Sequence, residues 1–202
     1  MKKFELISEF VTNVFGKKLF RIKALVSFGD VSAGELGGFV EKEENLSNNG
    51  NAWVSGNARV SGDARVSGDA LVSGNAQVSD NAWVSGNAWV SGNARVSGNA
   101  WVSGDALVSG NARVSGNAQV SGDADFSVVT GFGRCFRATT FFRCKDKILR
   151  VQCGCFYGDL AKFREIVKKT HGDSKYAKEY LAIADLMELH FSDEEENQEA
   201  DK

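Results

Sequence analysis

From Asn51 to Val120 the chain reads N-A-x-V-S-G again and again, with almost no variation and no insertion. Ala recurs every six residues from Ala52 to Ala124, Val recurs at the same period from Val54 to Val120, and Phe126 takes the next position. An amphipathic helix needs apolar residues at i, i+3, i+4 and i+7. Here the spacing is two, then four, then two. Within A-x-V-S the alternation is that of a strand, with Ala and Val on one side and x and Ser on the other. The Gly-Asn or Gly-Asp pair then breaks the strand, because Gly accepts φ > 0 freely and Asn and Asp tolerate it better than most residues. Each hexad is therefore a short strand followed by a sharp corner. A four-residue strand cannot bury its face alone, so the units must stack on copies of themselves.

Three hexads closing into one triangular coil is the simplest such stack, with small Ala near the corners and Val along the walls. An eighteen-residue coil sorts the outward positions into three faces. One carries Trp53, Leu71, Trp89 and Leu107; the second carries Arg59, Gln77, Arg95 and Arg113; the third carries Arg65, Trp83, Trp101 and Gln119. The second face also follows a corner with an unbroken Asn ladder, Asn57, Asn75, Asn93 and Asn111. About four coils at roughly 4.8 Å each give a prism about 20 Å long.

The pattern resembles the hexapeptide repeat of left-handed parallel β-helices, in which an aliphatic residue is followed four positions later by a small one. Val54 and Ala58 fit that rule, as does every pair up to Val120 and Ala124. The left-handedness is an implication of the resemblance, not of the spacing. A second, narrower resemblance begins at Gly29. The run G-D-V-S-A-G-E-L-G-G-F-V-E-K-E-E-N-L-S, leading into N-A-W-V, resembles the opening of hexapeptide-repeat proteins of bacteriophages, prophages and enteric bacteria. The stretch from F-Y-G-D-L to T-H-G-D-S-K-Y-A-K-E-Y-L resembles the C-terminal region of similar phage-encoded proteins. These resemblances imply origin and architecture and supply no chemistry.

The 202 residues leave room for one β-helix and one small appended unit. Four segments are expected: a cap with an irregular first coil over 1–50, the β-helix over 51–128, an α+β unit over 129–191, and a disordered acidic tail over 192–202. In the first, Lys18 to Leu25 is a strand with Phe20, Ile22 and Ala24 alternating with Lys and Arg, and Val40 and Leu46, six apart, open the first coil. An uncovered β-helix end invites fibre growth, so this segment should cap it. In the third, Arg134 to Cys144 and Ile148 to Phe156 form a hairpin. A two-residue turn at Asp146-Lys147 would put Phe142, Thr140 and Ala138 on one face with Leu149, Val151, Cys153 and Cys155. Two helices follow. Asp159 caps the first, with Leu160, Phe163, Ile166 and Val167 as its stripe and Gly172 at its end. The second runs from about Asp173 to Phe191. The fold class is thus mainly β: a left-handed parallel β-helix with an N-terminal cap and a C-terminal hairpin plus two helices.

Net charge of -2 gives no bulk attraction to nucleic acid or membrane. The acids of Phe4-Glu5-Leu6-Ile7-Ser8-Glu9 interrupt any signal-peptide core, and no apolar run spans a bilayer, so a cytoplasmic protein is expected. Cys135, Cys144, Cys153 and Cys155 fit no common zinc spacing and are expected as buried structural thiols. No metal and no cofactor is expected.

The best-known hexapeptide β-helix proteins are acyltransferases whose general base is a His on the β-helix or a projecting loop. Residues 51–125 hold no His, no Lys and no such loop, and the only His residues, His171 and His190, lie in the C-terminal helices. Fold does not carry function, so the expectation is a protein that is not an enzyme. The calcium-binding nonapeptide, the regular Thr array of ice-binding surfaces and a phosphate-binding Gly loop are also missing. Two functional readings remain. In the first the protein is a binding or scaffold module that self-associates as a trimer or dimer, or binds a partner, through Trp53, Leu71, Trp89 and Leu107 with Trp83 and Trp101. In the second it is a phage counter-defence protein that inhibits a host immune protein or sequesters a nucleotide signal. There Arg59, Arg95 and Arg113, or Arg134, Arg137, Arg143 and Arg150, are the candidate anion-binding residues.

Overall fold

In the computed structural model, which describes residues 2–122, 125–144 and 146–192, the repeats form a three-walled parallel β-solenoid. Three N-terminal strands, β1 (Phe4–Thr12), β2 (Lys18–Ala24) and β3 (Leu36–Val40), precede it. Two-residue strands then follow, one per hexad, from β4 (Trp53–Val54) to β15 (Gln119–Val120). Each pairs in parallel with the strand eighteen residues away, so the three predicted faces are three separate ladders: Trp53↔Leu71↔Trp89↔Leu107, Arg59↔Gln77↔Arg95↔Arg113, and Arg65↔Trp83↔Trp101↔Gln119. Every Val and Ala of the repeat from Ala52 to Val120 is at most 1% exposed.

The corners explain the Gly. Ser55 O accepts from Ala58 N–H (3.2 Å), closing a turn whose second residue, Gly56, has φ 63°. At Gly68 a Cβ would also lie 2.9 Å from the Gly86 nitrogen of the next coil, so the coils close up only where a side chain is missing. The exception is Asp80, at φ 61°, whose carboxylate accepts from the Gly98 N–H one coil later (3.0 Å). Asx residues tolerate this conformation best, and the added bond offsets part of its cost.

The expected Asn ladder runs unbroken, with amide contacts of 3.5, 3.3 and 3.3 Å from Asn57 to Asn111. The second corner has a ladder of its own, Asn81–Asn99–Asn117, at 3.2 and 3.3 Å. The third alternates Asn51, Asp69, Asn87 and Asp105, so that each of these carboxylates lies against an amide or a backbone N–H rather than against its own kind.

The N-terminal segment caps one end. β2 pairs antiparallel with β3, and β3 continues the Arg wall in parallel through Phe39↔Arg59 and Val40↔Val60. Leu46 bridges Val66, so the first coil does open between Val40 and Leu46. β1, which the sequence reading did not mark, pairs antiparallel with β2. A register shift between Arg21 and Lys23 breaks strict alternation, so Leu19 is buried and Phe20 is only half-buried, contrary to the simple alternating expectation.

The C-terminal unit is a four-stranded antiparallel sheet, β16 (Phe126–Val129), β17 (Thr139–Arg143), β18 (Leu149–Cys153) and β19 (Phe156–Asp159), with α1 (Leu160–His171) and α2 (Lys175–His190) on one side. Phe126 does not take a further rung; it leaves the solenoid to pair antiparallel with Phe142. The expected hairpin register is off by one residue. Lys147 N–H donates to Cys144 O (2.8 Å) and Cys144 N–H to Ile148 O (3.2 Å), with Lys147 at φ 61°. That is the three-residue loop with a left-handed last residue, not a two-residue turn. A one-residue slip exchanges the faces of a strand. Phe141 therefore pairs with Val151 and packs on the helices, whereas Phe142 and Cys144 join the solenoid core. Asp159 and Ser174 cap the helices through Lys162 N–H and Ala177 N–H, and Gly172 ends α1 at φ 54°. Ala124 and the acidic run beyond Ser192 lie outside the described residues.

Candidate functional site

The candidate residues lie on the three walls of the solenoid and in the C-terminal unit, chiefly in the loop between β16 and β17.

On the Trp–Leu wall Leu71, Trp89 and Leu107 stand outward and exposed, Trp89 at 48%. Trp53 does not join them. It is 3% exposed, because the N-terminal segment folds over the first rung and Phe28 packs edge-on to it at 5.4 Å. Its surroundings differ in one further way. Trp83, Trp89 and Trp101 each donate the indole N–H to the Ser sixteen residues earlier, Ser67, Ser73 and Ser85, at 2.9, 3.0 and 3.2 Å. The equivalent residue for Trp53 is Gly37, and Trp53 Nε1 is buried without a hydrogen-bond partner. A Cβ at Gly37 would lie 2.7 Å from the Trp53 ring, so no Ser fits there.

On the neighbouring wall Trp83 and Trp101 are exposed and stack ring on ring, centroids 5.4 Å apart and planes within 6°. Each thus has one ring face covered by the other. This follows from parallel in-register pairing, which places identical side chains about 4.8 Å apart.

The Arg wall holds Arg59, Arg95 and Arg113 in register around Gln77. Arg113 reaches Gly154 O at 3.5 Å, and its backbone N–H donates to Thr140 Oγ1 (3.0 Å). The four Arg of the C-terminal unit do not form one cluster. Arg143 donates to Phe191 O (2.9 Å), and Arg150 pairs with Asp146 (2.7 Å). They lie on adjacent positions of paired strands and so face opposite sides of the sheet, a consequence of the register slip. Arg134 and Arg137 instead lie exposed in the β16–β17 loop. Arg137 converges with Arg113 and Asn111 around an open recess of about 710 Å³. With Arg134 it also borders a second, smaller cavity between the sheet and the helices.

The cysteines divide. All four are free, Cys144 is buried, Cys153 is half-buried, and Cys135 and Cys155 are exposed, so core burial holds for only part of the set. Cys155 occupies the tight turn between β18 and β19, where the expected hairpin face has already ended. Burial raises the Cys144 thiol, and a hydrogen bond from Tyr157 partly opposes the rise. His171 is in ring contact with Tyr180 at 5.9 Å in the C-terminal unit, and His190 is exposed beside Phe191. Among the described residues no group of three or more His, Cys, Asp or Glu is placed to hold a metal ion. No helix among them is long and apolar enough to cross a membrane.

Sequence reasoning missed the polar groups that finish the N-terminal end. Lys3, 3% exposed, donates its ammonium to Gly50 O (3.2 Å) and Ala52 O (2.8 Å) and lies 4.4 Å from the centre of the Phe28 ring. Asn45, fully buried, donates to Gly62 O (3.1 Å) and Ala64 O (2.7 Å). A signal was present: Asn45 falls six residues after Phe39, at a place where an irregular coil has no Ser-Gly corner of its own.

Comparison with known families matches the chain to the one described as YdcK Beta solenoid repeat, at residues 52–66, 76–92, 90–104 and 106–122. All four segments fall inside the repeats. Comparison with curated proteins gives no match. Fold and match together make the chain a repeat β-solenoid protein with a C-terminal sheet and two helices.

Proposed function

We propose that the protein is a non-enzymatic, phage-related scaffold of the bacterial cytoplasm that works by binding, and that its primary contact is with a second copy of itself along the Trp–Leu wall. The observation that carries this reading is the row of exposed Leu71, Trp89 and Leu107 on a sheet whose backbone is fixed by parallel pairing on both sides of Trp89. A rigid apolar strip loses little conformational freedom on docking, and Trp is the residue type that most often anchors an interface. Both ends of the prism are covered by other parts of the chain, which favours side-by-side packing over end-to-end growth. Native mass spectrometry of the intact protein tests it. A trimer or dimer that becomes a monomer in Trp89→Ser supports the reading. A monomeric parent protein at tens of micromolar, or an oligomer untouched by Trp89→Ser, overturns it.

A second reading, counter-defence by capture of a nucleotide signal, is favoured by the recess that brings Arg113 and Arg137 together beside Asn111. Guanidinium pairs recognise phosphate with geometric specificity. The faces that Trp83 and Trp101 turn on each other are closed to a base. A thermal-shift screen of cyclic di- and trinucleotides, with Arg113→Gln as control, separates the two: stabilisation lost in Arg113→Gln supports capture, and no response from any nucleotide removes it.

A further inference from the structure

The loop between β16 and β17 carries a strained residue in an unusual setting. Phe136 sits at φ 50° with its side chain 72% exposed. A left-handed backbone at a bulky residue is an outlier that persists only where its surroundings hold it, and such outliers gather at binding sites. The loop is held from α2. Gly133 N–H donates to Glu179 Oε2 (2.9 Å), and the Tyr180 phenol passes so close to Gly133 that a Cβ there would meet its oxygen at 2.1 Å.

The kink has a geometric result. Arg134 and Arg137 are three residues apart and would point to opposite faces of an extended strand. Here both border one cavity of about 240 Å³ between the sheet, α1 and α2. Its floor is aromatic: the Phe163 ring meets Tyr180 edge-to-face at 5.8 Å and Phe156 at 5.6 Å. Burial, together with the Cys153 thiol it hydrogen-bonds, pushes the Tyr180 phenol up to about 12, so at neutral pH it stays protonated; Arg137 lines the same cavity. At the rim neither Arg134 nor Arg137 makes a hydrogen bond or ion pair among the described residues.

We propose that this cavity binds a small aromatic acid, with one ring on Phe156, Phe163 and Tyr180 and the carboxylate against Arg134 and Arg137. The size sets the ring count. Sites for drug-sized ligands run from about 300 to 1,000 Å³, so this smaller one suits a single ring. The charge follows from two unpaired guanidiniums, whose planar fork matches a carboxylate. The aromatic preference follows from ring walls that offer edge-to-face contact. The site is separate from the Trp–Leu wall and shares Arg137, but not Arg113, with the Arg113 recess.

Calorimetric titration of the full chain with phenylacetate, and with phenylacetamide as the neutral isostere, tests it. Saturable 1:1 binding of phenylacetate is expected, at least about tenfold tighter than the amide, a difference that one charge-assisted contact supplies. Arg134→Gln should weaken phenylacetate by about tenfold at an unchanged melting temperature. Thr170→Trp, at an exposed residue of the rim, should abolish binding with the fold intact. Arg113→Gln, outside this cavity, should leave it unchanged. Absence of saturable binding at millimolar acid, equal binding of acid and amide, or full binding by Arg134→Gln each overturns the proposal.

Discussion

The two ends of the solenoid face the same problem with opposite polarity. Corner carbonyls in each coil accept from the coil before, as Ala70 O does from Trp53 N–H and Gly74 O from Asn57 N–H. The first coil is therefore left with carbonyls that have nothing beneath them, and the last with N–H groups that have nothing above. At the N-terminal end the chain supplies donors: Lys3 to Gly50 and Ala52, Asn45 to Gly62 and Ala64, Arg21 to Gly37 (2.8 Å). At the C-terminal end it supplies acceptors: Thr140 Oγ1 for Arg113 N–H, and the Asp125 carboxylate for Ser121 N–H (2.7 Å) and Gly122 N–H (3.2 Å). A repeat makes its own middle. Its ends have to be made by residues that do not repeat, and their chemistry is dictated by which backbone group the stack leaves over. Buried backbone groups without partners cost too much for either end to go unserved.

The most severe way to break this pairing is to end the chain at Gly122. The last coil then offers bare N–H groups and an open Val core, and we expect rapid association into fibres or aggregates, seen by light scattering and electron microscopy. A soluble, monomeric fragment with a strand-like circular dichroism spectrum would show that the C-terminal unit is not a stopper. Next comes Asn45→Ala, which orphans the buried Ala64 carbonyl and the half-buried Gly62 carbonyl and should cost about 3 kcal/mol in chemical denaturation. Thr140→Val keeps the shape of the side chain, removes one acceptor from one N–H, and should cost about 1.5 kcal/mol; a larger loss than in Asn45→Ala would reverse the order of the two ends.

A pH dependence probes the N-terminal end by itself. Burial lowers Lys3 from 10.5 to about 8, with the Asp69 carboxylate opposing the shift. Between those values the unfolded chain holds the proton more tightly than the folded one, so stability contributed by this group rises with pH from about 8 to 10.5. The neutral amine keeps two N–H groups for its two carbonyls. Relative to Lys3→Met, the parent protein should gain stability across that window; a loss there would mean that the charge itself, and not the pair of donors, holds the end.

Much of the solenoid was legible because a fixed period leaves no freedom: once the coil is eighteen residues, the wall of Trp89 and the ladder through Asn93 follow. What was not legible depends on single residues outside the period. One extra residue in the loop before Ile148 put Phe141, not Phe142, on the face of Val151 and placed Arg143 and Arg150 on opposite sides of the sheet. Trp53 read as the first member of an exposed strip because the hairpin that covers it, and Gly37 beneath it, belong to no repeat. The burial of Lys3 was not legible, since no local pattern tells a buried ammonium from a solvated one. The β16–β17 cavity was hidden for the same reason. It is made by a backbone kink at Phe136, which side-chain periodicity does not report.

The walls also fix how such a chain can change in length. Adding three hexads lengthens the prism by about 4.8 Å and returns every wall, and both covering segments, to the same bearing. Adding one hexad turns everything beyond it by a third of a circle, which would bring the C-terminal sheet over the wrong wall and, placed before Trp89, would shift that Trp onto the Arg wall. Gene duplication can therefore tune the distance between the two ends only in steps of eighteen residues, as beads are added to a rod whose ends must stay aligned.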